Sequence, residues 1–292
     1  MGFDIQAIAT TLGGASPSGD GYSCLCPAHD DQTPSLSIGL GDQNQLLLYC
    51  HGGCSFEQIV KTLQDRGLLL KTQQDEDTNH ILVNNSVPDL SYIRRLWHQA
   101  LPVEGTPAHL YLRTRLDDRL KEIPPTLRYL PAAKHAPTGQ TYPCLLAAVT
   151  TYPNRKVIAL HRTFLSADGL RKAPVVNPKM MLGKVRGGTV RLAPADKDLI
   201  IAEGIETGLT VQVMLKKPAW VALSAQNMRH VILPPLPQAK NVYIAQDNDD
   251  AGRKAALTLA DKVWAEGRTA YILQPSHVYN DFNDALFSRR SQ

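Results

Sequence analysis

The sequence predicts a multidomain chain of α/β and α+β class that ends in a parallel sheet flanked by helices. Three observations carry this. Cysteines and a histidine gather in two short pairs between Cys26 and Cys54. A polar stretch rich in Asn and Asp follows. From about Asp196, short apolar runs then alternate with helical segments. The 292 residues suffice for two or three compact domains, and 43% apolar residues is ordinary for a globular chain. The expected division is a small metal-ligating domain over 1–71, a linker over 72–88, a basic α+β subdomain over 89–195 and the parallel-sheet domain over 196–292.

Taken in order, Phe3 to Leu12 reads as a helix, and the segments SLSIGL and QLLLYC alternate apolar and polar positions as a hairpin does. Ser55 is a good N-cap for a helix in which Phe56, Ile59, Val60 and Leu63 share one face, and Gly67 ends it. The run KTQQDEDTNHILVNNSVP, Lys71 to Pro88, has linker composition. SYIRRLWHQALPV and HLYLRTRL are helical; YPCLLAAVTTY and KVIALHRTFL are strands joined through Pro153-Asn154. In the last third DLIIAE, WVALSA, NVYIAQD and AYILQ are strands. ETGLTVQVMLK is a helix, as is AGRKAALTLADKVWAEG, which ends at Gly267. Uniformly apolar strands predict a parallel sheet covered on both faces.

Several function classes are excluded. No apolar run reaches the ~18 residues that span a bilayer, and G-x-x-x-x-G-K-[ST], the phosphate loop of many ATPases, is absent. The N-terminus lacks the pattern of a secretory signal, so a cytoplasmic location without membrane contact is expected. Closely spaced Cys and His in a reducing compartment are metal ligands rather than disulfides. Net charge is only +4, but Tyr152 to Leu192 carries nine basic residues and one acid, Asp168. That imbalance suits a phosphate-facing surface, with a solvated loop as the alternative.

Two constellations carry chemistry. Cys26-Pro-Ala-His29 and Cys50-His-Gly-Gly-Cys54 supply the four ligands of a closed structural zinc site, and Gly52-Gly53 lets both thiolates converge. Cys24 and His51 are possible replacements, although His51 and Cys50, adjacent in a strand, point to opposite faces. Cys144 lies in an apolar run and reads as core. The second constellation is acidic. Glu203 follows the strand DLIIA, and Asp247 and Asp249 follow VYIAQ. C-terminal strand ends of a parallel sheet meet at one edge, where three carboxylates require a cation such as Mg²⁺ or Mn²⁺. Ordinary helix caps are the competing reading for these acids.

CPAHDDQTPSLSI followed by YCHGGCS resembles the zinc-binding module of bacterial and mobile-element primases. The pattern of Glu203-Gly204 and Asp247-x-Asp249-x-x-Gly252 resembles the Toprim domain of primases, topoisomerases and some nucleases. Asn280-Asp281-Phe282-Asn283-Asp284 is similar to the late acidic motif of its primase-like members. EGIETGL departs from the topoisomerase form and is closer to plasmid, phage and mobile-element primases; the part played by Glu206 stays open. The resemblance implies a DNA primase that makes short RNA primers on single-stranded DNA by metal-dependent nucleotidyl transfer. Glu203, Asp247 and Asp249 would be its catalytic metal ligands, joined by Asp281. Arg162, Lys172, Lys179, Lys184 and Arg191 are the expected contacts to template or nucleoside triphosphates. The short stretch after Asp281 implies a separately encoded replicative helicase. A Toprim nuclease and a non-catalytic DNA-binding replication factor are the rival readings; a topoisomerase would need a tyrosine nucleophile on a further domain.

Overall fold

The computed structural model describes residues 3–18, 21–40, 46–69, 90–275, 279, 282, 283 and 286. The linker expected over 72–88 and the candidate ligand Asp281 lie outside the described residues. Two compact units divide the chain, Met1–Val87 with Ala136–Gly139, and Pro88–His135 with Gln140–Gln292. Among the described residues no helix is long and apolar enough to cross a membrane.

The first unit is a small antiparallel sheet with a helix at each end of its sequence. Helix α1 (Ile5–Leu12) starts at Asp4, whose carboxylate accepts the Ala7 N–H at 2.9 Å. Strands β1 (Ser16–Ser18), β2 (Gly21–Cys24), β3 (Leu36–Leu40) and β4 (Leu46–Cys50) pair in sequence order. Along β3 and β4 burial alternates, so that Leu36, Ile38, Leu46, Leu48 and Cys50 face the core while Ser37 and Tyr49 do not. Helix α2 (Phe56–Asp65) closes the unit and opens on a full capping box. Ser55 Oγ accepts the Gln58 N–H, and the Gln58 side chain accepts the Ser55 N–H. Phe56, Ile59 and Leu63 are buried, and Val60 packs against the edge of the cluster.

The second unit begins with α3 (Leu90–Gln99) and α4 (Pro107–Leu116), followed by the antiparallel sheet of β5 (Leu127–Lys134), β6 (Thr141–Val149), β7 (Ala159–Phe164) and β8 (Lys179–Gly183). The unbroken apolar run of β6 has a structural cause. Leu145, Ala147 and Val149 face a core shared with Tyr111 and Leu112 of α4. Cys144, Leu146 and Ala148 face the other side, with Ile93 of α3. A strand buried on both faces leaves no position for a polar residue. β5 and β8, the edge strands, escape sequence detection for the opposite reason. β5 carries Pro131 within a register shift between Leu130 and Ala133, and β8 is a short, half-exposed piece of the basic segment.

The parallel sheet follows, built from β9 (Val190–Arg191), β10 (Asp198–Ala202), β11 (Ala219–Val221), β12 (Asn241–Ala245) and β13 (Thr269–Leu273) in the order β13-β12-β10-β11-β9. β10 to β13 run parallel, and β9 covers one edge antiparallel. Helix α5 (Ile205–Leu215) packs on one face. Helices α6 (Ala225–Met228) and α7 (Asp250–Ala265) lie on the other side, where α7 packs against Leu199, Ile201, Val242 and Ile244. Leu199, Ile200, Ile201 and Ala202 of β10 are all inaccessible to solvent. Each larger side chain among them contributes roughly 1.5–3 kcal/mol by burial. That fixes the strand whose end carries Glu203.

Candidate functional site

In the first unit the sheet brings two turns together. Cys26 and His29 lie in the turn that leaves β2, Cys50 ends β4, and Cys54 precedes the Ser55 cap of α2. Gly53 takes φ +93° between the two cysteines, a conformation that suits glycine. One ligand atom from each of Cys26, His29, Cys50 and Cys54 lies within 4.8 Å of every other. His29 Nδ1 stands 3.2 Å from Cys54 Sγ and 3.8 Å from Cys50 Sγ. The Cys50 thiol is held well below the ordinary thiol range, first by a hydrogen bond from the Cys26 thiol. Burial opposes the shift, while the Cys54 and Gly52 N–H groups and the Ser35 hydroxyl favour it. Three thiols and one imidazole, with one thiol already favoured as thiolate, fit a closed tetrahedral zinc site. Cys24 and His51 stand outside this quartet. Cys24 is a buried core residue whose thiol is pushed up to about 11 by burial and by Asp31. His51 turns away to pack edge-on against Tyr49, with Nε2 3.0 Å from Ser37 Oγ. Cys144 is fully buried between β-sheet neighbours, and burial raises its thiol to about 12.

In the second unit β10 and β12 are adjacent and in register, Ala202 opposite Ala245, so Glu203 and Asp247 leave neighbouring strand ends. Asp249 is the N-cap of α7 and accepts the Gly252 N–H at 2.7 Å. It therefore does what an ordinary cap does, and it also stands near enough to act on Glu203. The Glu203 carboxyl is raised to about 7, first by burial and then by Asp247 and Asp249, against a hydrogen bond from the Ala225 N–H and the charge of Lys179. Close carboxylates that resist joint ionisation are relieved by a cation, so the donor set fits a hard divalent ion. Among the described residues, the Cys/His quartet is the one group of Cys, His, Asp or Glu placed closely enough to hold a metal ion, and the three acids form no such group.

Glu203 and Asp247 line a cleft of about 190 Å³, and His161 of β7 and Lys179 of β8 line it from the antiparallel sheet. Glu206, in the first turn of α5, lines the same cleft but is already engaged by two partners. It accepts the Tyr111 hydroxyl at 2.6 Å and pairs with Lys172 Nζ at 3.2 Å. Burial pushes its carboxyl up, but Lys172, Lys179 and the Tyr111 hydroxyl outweigh this and bring it down to about 2. The Tyr111 phenol is raised by burial and by Glu206. His161 is lowered to about 4 by burial, with Glu206 opposing and Lys179, Lys172 and Arg162 reinforcing, so its imidazole is neutral.

The five basic candidates separate. Lys179 is exposed and lines the cleft, and among the described residues it makes no ion pair. Lys172 is held by Glu206. Arg162 donates to the Met181 carbonyl at 3.2 Å and lies over the Phe164 ring. Arg191 donates to the Asn154 carbonyl at 2.5 Å and lies over Trp220. Lys184 is exposed on the loop after β8. Sequence reasoning missed His161, Tyr111 and Asn227. Buried Asn227 accepts the Gly187 N–H and donates to the Gly188 and Ala222 carbonyls, pinning the basic loop to the sheet. A single histidine or asparagine in an apolar context gives no periodic signal to find it by. Of the late acidic motif, Phe282 is buried and Asn283 donates to the Arg115 carbonyl at 2.7 Å.

Residues 90–192 match a domain of unknown function (DUF7146), and residues 198–291 match the Toprim domain. No curated protein matches the sequence. Among solved structures, the chain is similar to the zinc-binding and RNA polymerase domains of the Aquifex aeolicus primase, at 16% identity over 98% of this chain and 80% of that one, with a TM-score of 0.43. It is also similar to the primase fragment of the bacteriophage T7 primase-helicase protein, at 13% identity over 92% and 96%, TM-score 0.42. A DNA primase domain from Pseudomonas aeruginosa matches at 15% identity over 70% and 78%, TM-score 0.39.

Proposed function

We propose that this chain, which carries a Toprim domain over residues 198–291, is a DNA primase that joins nucleoside triphosphates on a single-stranded DNA template. The observation that supports this most directly is the cleft in which Glu203 and Asp247 face Lys179. Such a cleft offers carboxylates for divalent ions and a cation for phosphate oxygens within one small volume. Glu203, Asp247 and Asp249 would hold Mg²⁺ or Mn²⁺, which when bound supplies Lewis acidity to a primer hydroxyl and a transferring phosphate. Lys179 would bind the triphosphate, and neutral His161 would offer its ring N–H without adding charge. Glu206 lines the same cleft, but, engaged by Lys172 and Tyr111, it would fix the start of α5 beside Glu203 rather than hold the ion. The Cys/His quartet would hold zinc and present single-stranded template. Arg162, Lys184 and Arg191 would contact nucleic acid, and a helicase would supply unwound DNA.

The test is primer synthesis from labelled nucleoside triphosphates on single-stranded templates of varied sequence. Asp247→Ala is expected to abolish product while leaving the circular dichroism spectrum unchanged, and undiminished product would refute the reading. Nicking of plasmid by Mg²⁺ and protein without nucleotides would identify a nuclease instead. Template binding without nucleotide incorporation would identify a non-catalytic replication factor.

A further inference from the structure

The Cys/His cluster contains a carboxylate that no ligand count includes. Asp31 lies two residues after His29, and its side chain is 1% exposed, whereas neighbouring Asp30 is exposed. Oδ2 accepts the Cys26 N–H at 2.7 Å and the Ser35 hydroxyl at 2.6 Å. Ser35 Oγ in turn stands 3.8 Å from Cys50 Sγ and 3.5 Å from His29 Nε2. Oδ1 is buried without a hydrogen bond, and the polar group it faces is His29 Nε2, 3.5 Å away. No lysine or arginine among the described residues pairs with Asp31. A buried carboxylate among three thiols, without a cationic side chain, is costly unless a metal cation shares the pocket.

We propose that Asp31 is the positioning carboxylate of the zinc site, fixing the Nε2–H tautomer of His29 so that Nδ1 faces the three thiols. The same side chain fixes the Cys26 turn directly and reaches Cys50 through Ser35. An imidazole that coordinates through one nitrogen binds more strongly when the other donates to a carboxylate, because the acceptor orients the ring and raises its basicity. This gives a role to Asp31 and Ser35 of the DDQTPS segment, which supplies no ligand itself. The inference rests on the quartet holding zinc and is independent of primer synthesis.

The test measures zinc affinity of the full chain by chelator competition, with excess Mg²⁺ present to occupy the acidic site. Asp31→Asn, which keeps the shape of the side chain, is expected to weaken zinc binding about 10- to 100-fold. The same substitution in a His29→Cys background is expected to cost far less, because a fourth thiolate has no ring nitrogen to orient. Should Asp31→Asn take up no zinc at all, the His29→Cys/Asp31→Asn chain is expected to recover uptake. Near-parental affinity for Asp31→Asn would overturn the proposal. So would an equal loss in both backgrounds, or no recovery in the double variant. A parent chain that fails to bind zinc, with primer synthesis intact, would remove the zinc reading while leaving the proposed function standing.

Discussion

Glu203 and Glu206 lie three residues apart around the start of α5, and their surroundings give them opposite proton affinities. Burial and two neighbouring aspartates raise Glu203 to about 7. Glu206 is brought down to about 2 although burial opposes this, because Lys172, Lys179 and the Tyr111 hydroxyl outweigh it. Lys172 is thereby engaged, whereas Lys179 faces the cleft. The two lysines should separate experimentally. Lys179→Ala is expected to weaken nucleoside triphosphate binding at least about tenfold, measured by titration of a fluorescent analogue, with little change in melting temperature. Lys172→Ala leaves Glu206 buried without its cation and is expected to destabilise the fold by on the order of 2 kcal/mol in denaturant titration. The reverse pattern would exchange their roles. His161 gives a pH prediction with a definite sign. Its folded value of about 4 lies below the ordinary 6.5, so the unfolded chain binds the extra proton and stability falls as pH drops from 6.5 towards 4. The effect is on the order of 3 kcal/mol. His161→Gln should flatten that part of the stability–pH curve, and an unchanged slope would refute the assignment.

At the scale of elements, the acidic site depends on turns that leave strands abruptly. Gly252 sits in the first turn of α7, where a Cβ would lie 2.8 Å from the Asp247 carbonyl oxygen and 3.2 Å from the Asp249 carboxylate. Gly252→Ala should therefore push the strand end and the cap apart. The expected result is Mg²⁺ affinity lowered several-fold, read by isothermal titration, with the parallel sheet still folded; parental affinity would show that the turn can yield. The same scale explains which elements were legible. After their first residues, Asp198 and Asn241, β10 and β12 are apolar because both sheet faces are covered, and α2 announces itself by Ser55 and Gln58. β5, β8 and β9 are short, edge-placed or interrupted by proline, so their existence depends on a neighbour to pair with and not on their own pattern.

At the scale of the molecule, the chain forms two compact units with separate cores. If the first is held by zinc, a strong chelator should melt it while the second keeps its cooperative transition. Two calorimetric transitions, of which only one shifts with chelator, would meet this expectation, and a single chelator-insensitive transition would refute it. The Cys26/His29/Cys50/Cys54 set and the positions of Glu203, Asp247 and Asp249 at strand ends were determined by the sequence alone, because ligand spacing and strand-end placement are local properties. The tertiary structure decided which of the nearby groups act together. It excluded Cys24 and His51 from the quartet, drew Glu206 to Lys172 and Tyr111, and set Arg162 and Arg191 against carbonyls and rings. It also brought His161 and Lys179 to the acids from another sheet. Charge counts and motifs list donors and acceptors, but partners distant in the chain meet only through packing. Burial then sets which proton each group keeps.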